Sequence, residues 1–295
     1  MRFAKYHGTG NDFVMIEDLD DAIRLDPGLI ARMCDRRKGI GADGLIRVVR
    51  SDHADFFMDY YNADGEVAEM CGNGIRCLAK LVFDRGLTTA SEIDVQTRAG
   101  TKHLVIGAEA GTARRITVDM GPPALERKAI PMEGEPSATF LEQPLDVEGR
   151  RFTASAVSMG NPHCVLFLDP SEDLGALDVS RLGPLVERKP EFPHRTNVEF
   201  VKGGRGVIAV RVWERGSGET MACGTGACAA LVACSLAGLT GREAEVEFPG
   251  GAVEVTWGRD GHVLLTGPAI CVYEGEVDGS WLDQTEAASV SGGVE

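Results

Sequence analysis

One plan appears twice along this chain, and that duplication limits the possible folds more than any other feature. Cys71-Gly72-Asn73-Gly74 is echoed 152 residues later by Cys223-Gly224-Thr225-Gly226, and Gly10-Asn11 is echoed 150 residues later by Gly160-Asn161. Nine residues before each cysteine a polar residue, Asn62 or Glu214, closes a strand-like run. Downstream, Val95–Gly100 corresponds to Val246–Gly251, and each copy closes on a Gly-Pro, at Gly121-Pro122 and Gly267-Pro268. Anchors in one order at near-equal spacing mark a duplicated structural unit. The expected organisation is a first domain over 1–119, a second over 120–268, a return of 269–278 to the first, and a disordered Ser/Gly/Glu-rich tail over 279–295.

Short β-rich runs such as Leu45–Val49, Ile116–Asp119 and Val253–Trp257 are punctuated by Gly and Pro, and each Cys-Gly-x-Gly opens a helical run. The second of these, 227–238, is apolar on every face and too short to span a bilayer, so it must be enclosed by protein. The predicted class is α+β: two homologous pseudo-symmetric domains, each a curled β-sheet or barrel around a central helix.

A formal net charge of −15 argues against nucleic acid or an anionic membrane as the main partner, but not against a small anion held by local N–H groups. The start, Met1–Gly8, has no apolar signal core, and no stretch nears the ~20 apolar residues of a membrane span. The expected location is therefore cytoplasmic, with the eight cysteines reduced. They form no Cys-x-x-Cys pair, and the six histidines show no zinc-binding spacing, so no metal site is expected.

A cysteine just ahead of a Gly-x-Gly helix start sits among unpaired backbone N–H groups at the positive end of the helix dipole. That setting can depress a thiol pKa below its free value of ~8.5 and also bind a carboxylate. Two equivalent thiols, one per domain, suit inversion at an acidic carbon, with a base on one face and an acid on the other. Cys34, Cys77, Cys164, Cys228, Cys234 and Cys271 read as inert core thiols. Gly39-Ile40-Gly41-Ala42-Asp43-Gly44 has dinucleotide-fingerprint spacing, but it follows a helix-like run and precedes a strand, the reverse of a nucleotide loop, and reads as a turn bordering the cleft.

Several stretches together resemble the diaminopimelate epimerase family almost end to end. They are His7–Phe13, Asn62-Ala63-Asp64-Gly65, Glu69–Cys77, Gly160-Asn161-Pro162-His163, Thr196-Asn197-Val198, Glu214-Arg215-Gly216 and Ala222–Gly226. Proline racemases and hydroxyproline epimerases share the two-cysteine plan but usually carry His after the first Cys-Gly, and phenazine-pathway isomerases lack the pair. An epimerase of the proline or hydroxyproline type is thus the alternative reading.

The resemblance implies interconversion of LL- and meso-diaminopimelate, a step towards lysine and peptidoglycan precursors, by a cytoplasmic homodimer that uses neither pyridoxal phosphate nor metal. It implies that Cys71 is proton donor and Cys223 acceptor in one direction, with His163 and Glu214 as auxiliary groups. Gly72, Asn73, Gly224 and Thr225 would hold the reacting carboxylate; Asn11, Asn62, Asn161, Asn197, Glu214 and Arg215 would fix the rest of the ligand. Many family members carry Gln where this chain has Gly44, so one side-chain contact is absent or replaced.

Overall fold

The computed structural model describes residues 1–282. Its first part runs β1 (Arg2–Gly8), β2 (Asn11–Glu17), α1 (Pro27–Cys34), β3 (Gly44–Arg50), β4 (Phe56–Asn62), α2 (Gly72–Asp84), β5 (Glu92–Thr97), β6 (Gly100–Glu109) and β7 (Thr112–Asp119). Then come β8 (Gln143–Val147), β9 (Arg150–Ser158), β10 (Pro162–Phe167), α3 (Val179–Glu187), β11 (Asn197–Gly204), β12 (Val207–Glu214), the short β13 (Gly218–Thr220) and α4 (Gly224–Leu236). The chain ends through β14 (Glu243–Phe248), β15 (Gly251–Trp257), β16 (Val263–Gly267), β17 (Ile270–Glu276) and α5 (Gly279–Leu282).

The pairing repeats strand for strand. Antiparallel β1–β2, parallel β2–β3, antiparallel β3–β4, parallel β4–β5 and antiparallel β5–β6–β7 make one curled sheet. The second sheet has the same alternation through β9–β10, β10–β11, β11–β12, β12–β14 and β14–β15–β16. β17 lies antiparallel to β1 as β8 lies antiparallel to β9. The sheets are stitched by antiparallel β7–β16, with Ile116 opposite Gly267 and the Thr117 and Thr266 hydroxyls 2.8 Å apart. The class is α+β.

Each sheet needs something apolar to curl around, and each copy supplies one helix. α2 is buried from Gly72 to Val82, and α4 is buried at Gly224 and from Gly226 to Cys234. Leu231 and Val232 are fully enclosed, each such side chain contributing roughly 1.5–3 kcal/mol. α1 starts where Asp26 accepts the Leu29 N–H at 3.0 Å with Pro27 in the first turn. Among the described residues no helix is long and apolar enough to cross a membrane.

Of the tail expected to be disordered from 279 onward, residues 279–282 instead form α5. Trp281 packs beside Met1, Leu25 and Val277 over the apolar cluster around Ile30 and Met33, with the Arg32 guanidinium 5.2 Å above its ring. The remainder of that expectation, 283–295, lies outside the described residues.

Candidate active site

The two central helices meet at their N-termini. Cys71 caps α2 and Cys223 caps α4, both with extended backbone (φ −137°, ψ 120° and φ −126°, ψ 118°). A methyl placed on Gly72 would lie 3.5 Å from the Gly224 Cα, and one on Gly224 would lie 3.3 Å from the Gly72 Cα. The glycines thus allow two positive helix ends, with their unpaired N–H groups, to converge on one place.

Around Cys71 the partners are amides. Its Sγ is 3.4 Å from Asn11 Oδ1, which also accepts from Asn73 Nδ2 at 3.4 Å. Asn11 is oriented from behind: its Nδ2 donates to Asp43 Oδ2 at 2.8 Å, and Asp43 is paired with Arg36. Asp43 belongs to the glycine-rich turn between α1 and β3, which therefore borders the site. Asn73 also donates to Ala222 O at 3.2 Å, linking the two helix starts. The fully buried Arg76, one turn into α2, donates to Gly72 O, Pro268 O and Thr9 Oγ1 and has no carboxylate partner among the described residues.

Cys223 has different company. Its Sγ accepts the Gly226 N–H at 3.4 Å and lies 3.4 Å from Thr225 Oγ1. Asn161 Nδ2 donates to that hydroxyl at 3.3 Å, while Asn161 Oδ1 is 3.0 Å from His163 Nε2. Behind the ring, His163 Nδ1 is 2.7 Å from Glu199 Oε1, and both side chains are wholly buried. Glu214, at the end of β12, accepts from Thr220 and faces Cys223.

The helix-end position does not depress the thiols here. Burial pushes Cys71 up to about 11, against the opposing pull of the Gly74 and Asn73 N–H groups and Arg76; nearby Glu214 adds to the rise. Burial also raises Cys223 well above the ordinary thiol range, reinforced by the Glu214 and Glu199 carboxylates and opposed by Thr225 and Gly226. Desolvation outweighs the dipole because both sulfurs sit between two packed lobes. Burial also raises Glu214, although its hydrogen bonds from Thr220 and Cys223 oppose the rise.

The other expected contacts divide into two groups. Asn197 spends its whole carboxamide on backbone: Nδ2 donates to Pro162 O and Oδ1 accepts from Arg215 N, each at 2.9 Å. That arrangement positions the Glu214–Arg215 turn and leaves little of Asn197 for a ligand. Arg215 is exposed, with Nη1 reaching His194 O at 3.3 Å. Asn62 ends β4, exposed and opposite Gly44 in the β3–β4 register.

A family model described as "Diaminopimelate epimerase" matches residues 3–126 and 155–272. The diaminopimelate epimerase of Pelotomaculum thermopropionicum is 48% identical over 279 residues, 94% of this chain and 98% of that protein. That of Moorella thermoacetica is also 48% identical, over 94% of this chain and 99% of its own length. This chain belongs to the diaminopimelate epimerase family. A crystal structure of a hydroxyproline epimerase from Agrobacterium vitis shares the fold with a TM-score of 0.69 at 14% identity, covering 94% of this chain and 90% of that one.

In this member of the diaminopimelate epimerase family, packing leaves no room for a side chain at position 44. A Cβ on Gly44 would sit 2.6 Å from Tyr61 O and 2.8 Å from the Tyr60 ring, so any side chain there would require the β4 backbone and Tyr60 to move. Sequence reasoning missed Asp43, Arg76 and Glu199. Glu199 left one signal, a carboxylate inside the apolar run Val198-Glu199-Phe200-Val201, which has to find a partner once buried.

Proposed function

We propose that this chain interconverts LL- and meso-diaminopimelate, moving one proton between Cys71 and Cys223 on opposite faces of the substrate α-carbon. The observation that carries the reading is the tip-to-tip contact of two cysteine-capped helices at Gly72 and Gly224. An α-carboxylate held there would receive N–H groups from both helix starts, at Gly72-Asn73 and Gly224-Thr225. Each donor aimed at the charge that develops when the α-proton leaves is worth roughly 3–4 kcal/mol. With one cysteine as thiolate and the other as thiol, removal and delivery occur on different faces, and the roles exchange in reverse. Both thiols are raised in the free protein, so the thiolate is best formed once the substrate ammonium supplies a nearby cation.

In this reading His163 and Glu214 support Cys223. Asn11 and Asn161 border the reacting centre, Arg215 offers a guanidinium to the distal carboxylate with Asn62 as a further contact, and Asn197 acts by holding the Arg215 backbone. The chemistry asks for no cofactor and no metal. We read 1–119 with 269–278 as one unit and 120–268 as the other. The exposed Ile270, Val272 and Tyr273 of β17 offer an apolar edge for a homodimer, and eight free thiols suit a cytoplasmic setting.

The test is α-proton exchange in deuterium oxide across a panel of amino acids that includes diaminopimelate, proline and hydroxyproline. Turnover of diaminopimelate alone supports the reading. Inactivity on diaminopimelate with turnover of a single-centre amino acid would replace it with the proline-type alternative.

A further inference from the structure

The glycine at position 44 leaves a gap on the inner face of the first sheet, and the side chain that fills it is Tyr60. Strand register sets the neighbours. Gly44 is opposite Phe13 on one side and Asn62 on the other, and Tyr60 stands two residues before Asn62 on β4. Residues two apart on a strand share a face, as do directly opposed partners, so Asn11, Phe13, Gly44, Tyr60 and Asn62 line one surface. Asn11, the neighbour of Cys71, is thus on the same face as Tyr60. A Cβ on Gly44 would lie 2.8 Å from the edge of the Tyr60 ring and 3.5 Å from its hydroxyl, so the ring lies across the vacant position.

Tyr60 is fixed there from two sides. Its carbonyl accepts the Ala68 N–H at 3.0 Å and Arg98 Nη1 at 3.1 Å, which ties β4 to the loop leading into Cys71. Its ring meets the Phe13 ring edge-on, with centroids 6.0 Å apart. Only 8% of Tyr60 is exposed, yet its hydroxyl makes no hydrogen bond among the described residues. A phenol this buried ordinarily has a partner, so the free hydroxyl points to a ligand. Burial first, then the charges of Cys71, Glu214 and Asp43, hold it well above the ordinary tyrosine range, and it stays a neutral hydroxyl. Those three groups come from both lobes, which puts the hydroxyl at the cleft between them. The charges that act on it most are acidic. A neutral oxygen in such a field is a poor seat for a carboxylate and a good one for an ammonium, whose N–H it can accept.

We propose that the Tyr60 hydroxyl is a substrate-binding group that accepts a hydrogen bond from the distal ammonium of diaminopimelate, beside Asn62 and Glu214, and so favours a substrate with an amino group at both ends. This rests on the proposed substrate. The reacting end has its own donors at the two helix starts, Gly72-Asn73 and Gly224-Thr225, whereas Tyr60 shares its strand face with Asn62 of the distal side. No bond is broken and no proton moves; one hydrogen of the ammonium gains an acceptor. Because packing already holds the ring, little conformational freedom is lost when that bond forms.

Tyr60→Phe removes the hydroxyl and keeps the ring over Gly44. It breaks no hydrogen bond among the described residues, so the urea unfolding midpoint should match that of the parent. KM for diaminopimelate should rise by about tenfold with kcat changed less than about twofold, since the contact is the same in ground and transition states. α-Aminopimelate, which keeps both carboxylates and lacks the distal amino group, separates the two kinds of contact. Its inhibition constant against diaminopimelate turnover should agree in the two proteins to within about twofold. An equal weakening of α-aminopimelate would assign the hydroxyl to a carboxylate and overturn the inference. A fall in kcat at unchanged KM would assign it to the reacting centre, and a lowered unfolding midpoint alongside the change in KM would mark it as structural; either result overturns the inference. Turnover of diaminopimelate by both proteins with equal KM and kcat overturns it alone. Turnover of diaminopimelate by neither overturns it together with the proposed substrate.

Discussion

The two helix starts share a backbone and differ in their electrostatics. At the fifth residue after its cysteine, α2 carries the buried cation Arg76 where α4 carries Cys228. In the strands behind, Phe13 pairs with Gly44 in the first copy where His163 pairs with Asn197 in the second. Two residues further along those strands, the first copy has Ile46 where the second has Glu199. Asn11 and Asn161 correspond, but an acid that is already ion-paired holds Asn11 in one orientation, whereas Asn161 faces a histidine able to donate or accept. Duplication supplied the opposed geometry; divergence of the second layer made the thiols unequal. Cys71 has a buried cation to favour its thiolate, while Cys223 is flanked by carboxylates that oppose it.

The comparison breaks most severely when either thiol is removed. Cys71→Ala and Cys223→Ala should each lower kcat for epimerisation by at least about 10³-fold, measured by chiral chromatography of the product, because no other group replaces a missing acid or base. Arg76→Met tests the asymmetry from the first side. It takes the guanidinium donor from the Pro268 carbonyl, which should cost about 1–3 kcal/mol in urea unfolding. It should also slow alkylation of Cys71 by about tenfold at fixed pH while leaving Cys223 unchanged, read by mass spectrometry of the labelled peptides.

Glu214→Gln tests the second side. Glu214 raises both thiols, so its loss should bring both down, Cys223 more than Cys71. It should also change stability with a definite sign. A carboxyl raised on folding stabilises the native state only while protonated, so that its contribution is present below the unfolded value and is lost as pH rises through the folded one. Relative to Glu214→Gln, the parent should therefore lose melting temperature between weakly acidic and neutral pH; a constant difference would contradict the sign. The smallest effect is expected from Asp43→Asn. It releases the Asn11 amide from its fixed orientation and should raise KM by about three- to tenfold, the scale of one lost orienting hydrogen bond, with kcat little changed.

Legibility in the sequence followed the same division. The duplicated anchors placed both cysteines on helix starts, and the all-apolar run after Cys223 required an enclosing sheet, because each of those features is local. The Gly39–Gly44 turn was readable as a border of the site, yet the role of Asp43 within it was not, since Asn11 lies 32 residues away and meets it only through the parallel β2–β3 pairing. Glu199 and His163 are 36 residues apart on parallel strands, a separation that carries no motif. The rise in both thiols was hidden for a related reason. The dipole of a helix start is visible in Cys-Gly-x-Gly, but desolvation comes from the opposite lobe and depends on how closely Gly72 and Gly224 approach.

The central claim is tested most directly by running the reaction in deuterium oxide and stopping it within the first few per cent of conversion. Two thiols on opposite faces predict that the inverted product carries deuterium at the α-carbon while recovered substrate remains unlabelled, since the proton removed and the one delivered come from different sulfurs. Substrate that gains deuterium as fast as product forms, or product that retains the original hydrogen, would show one group serving both faces and would contradict the account.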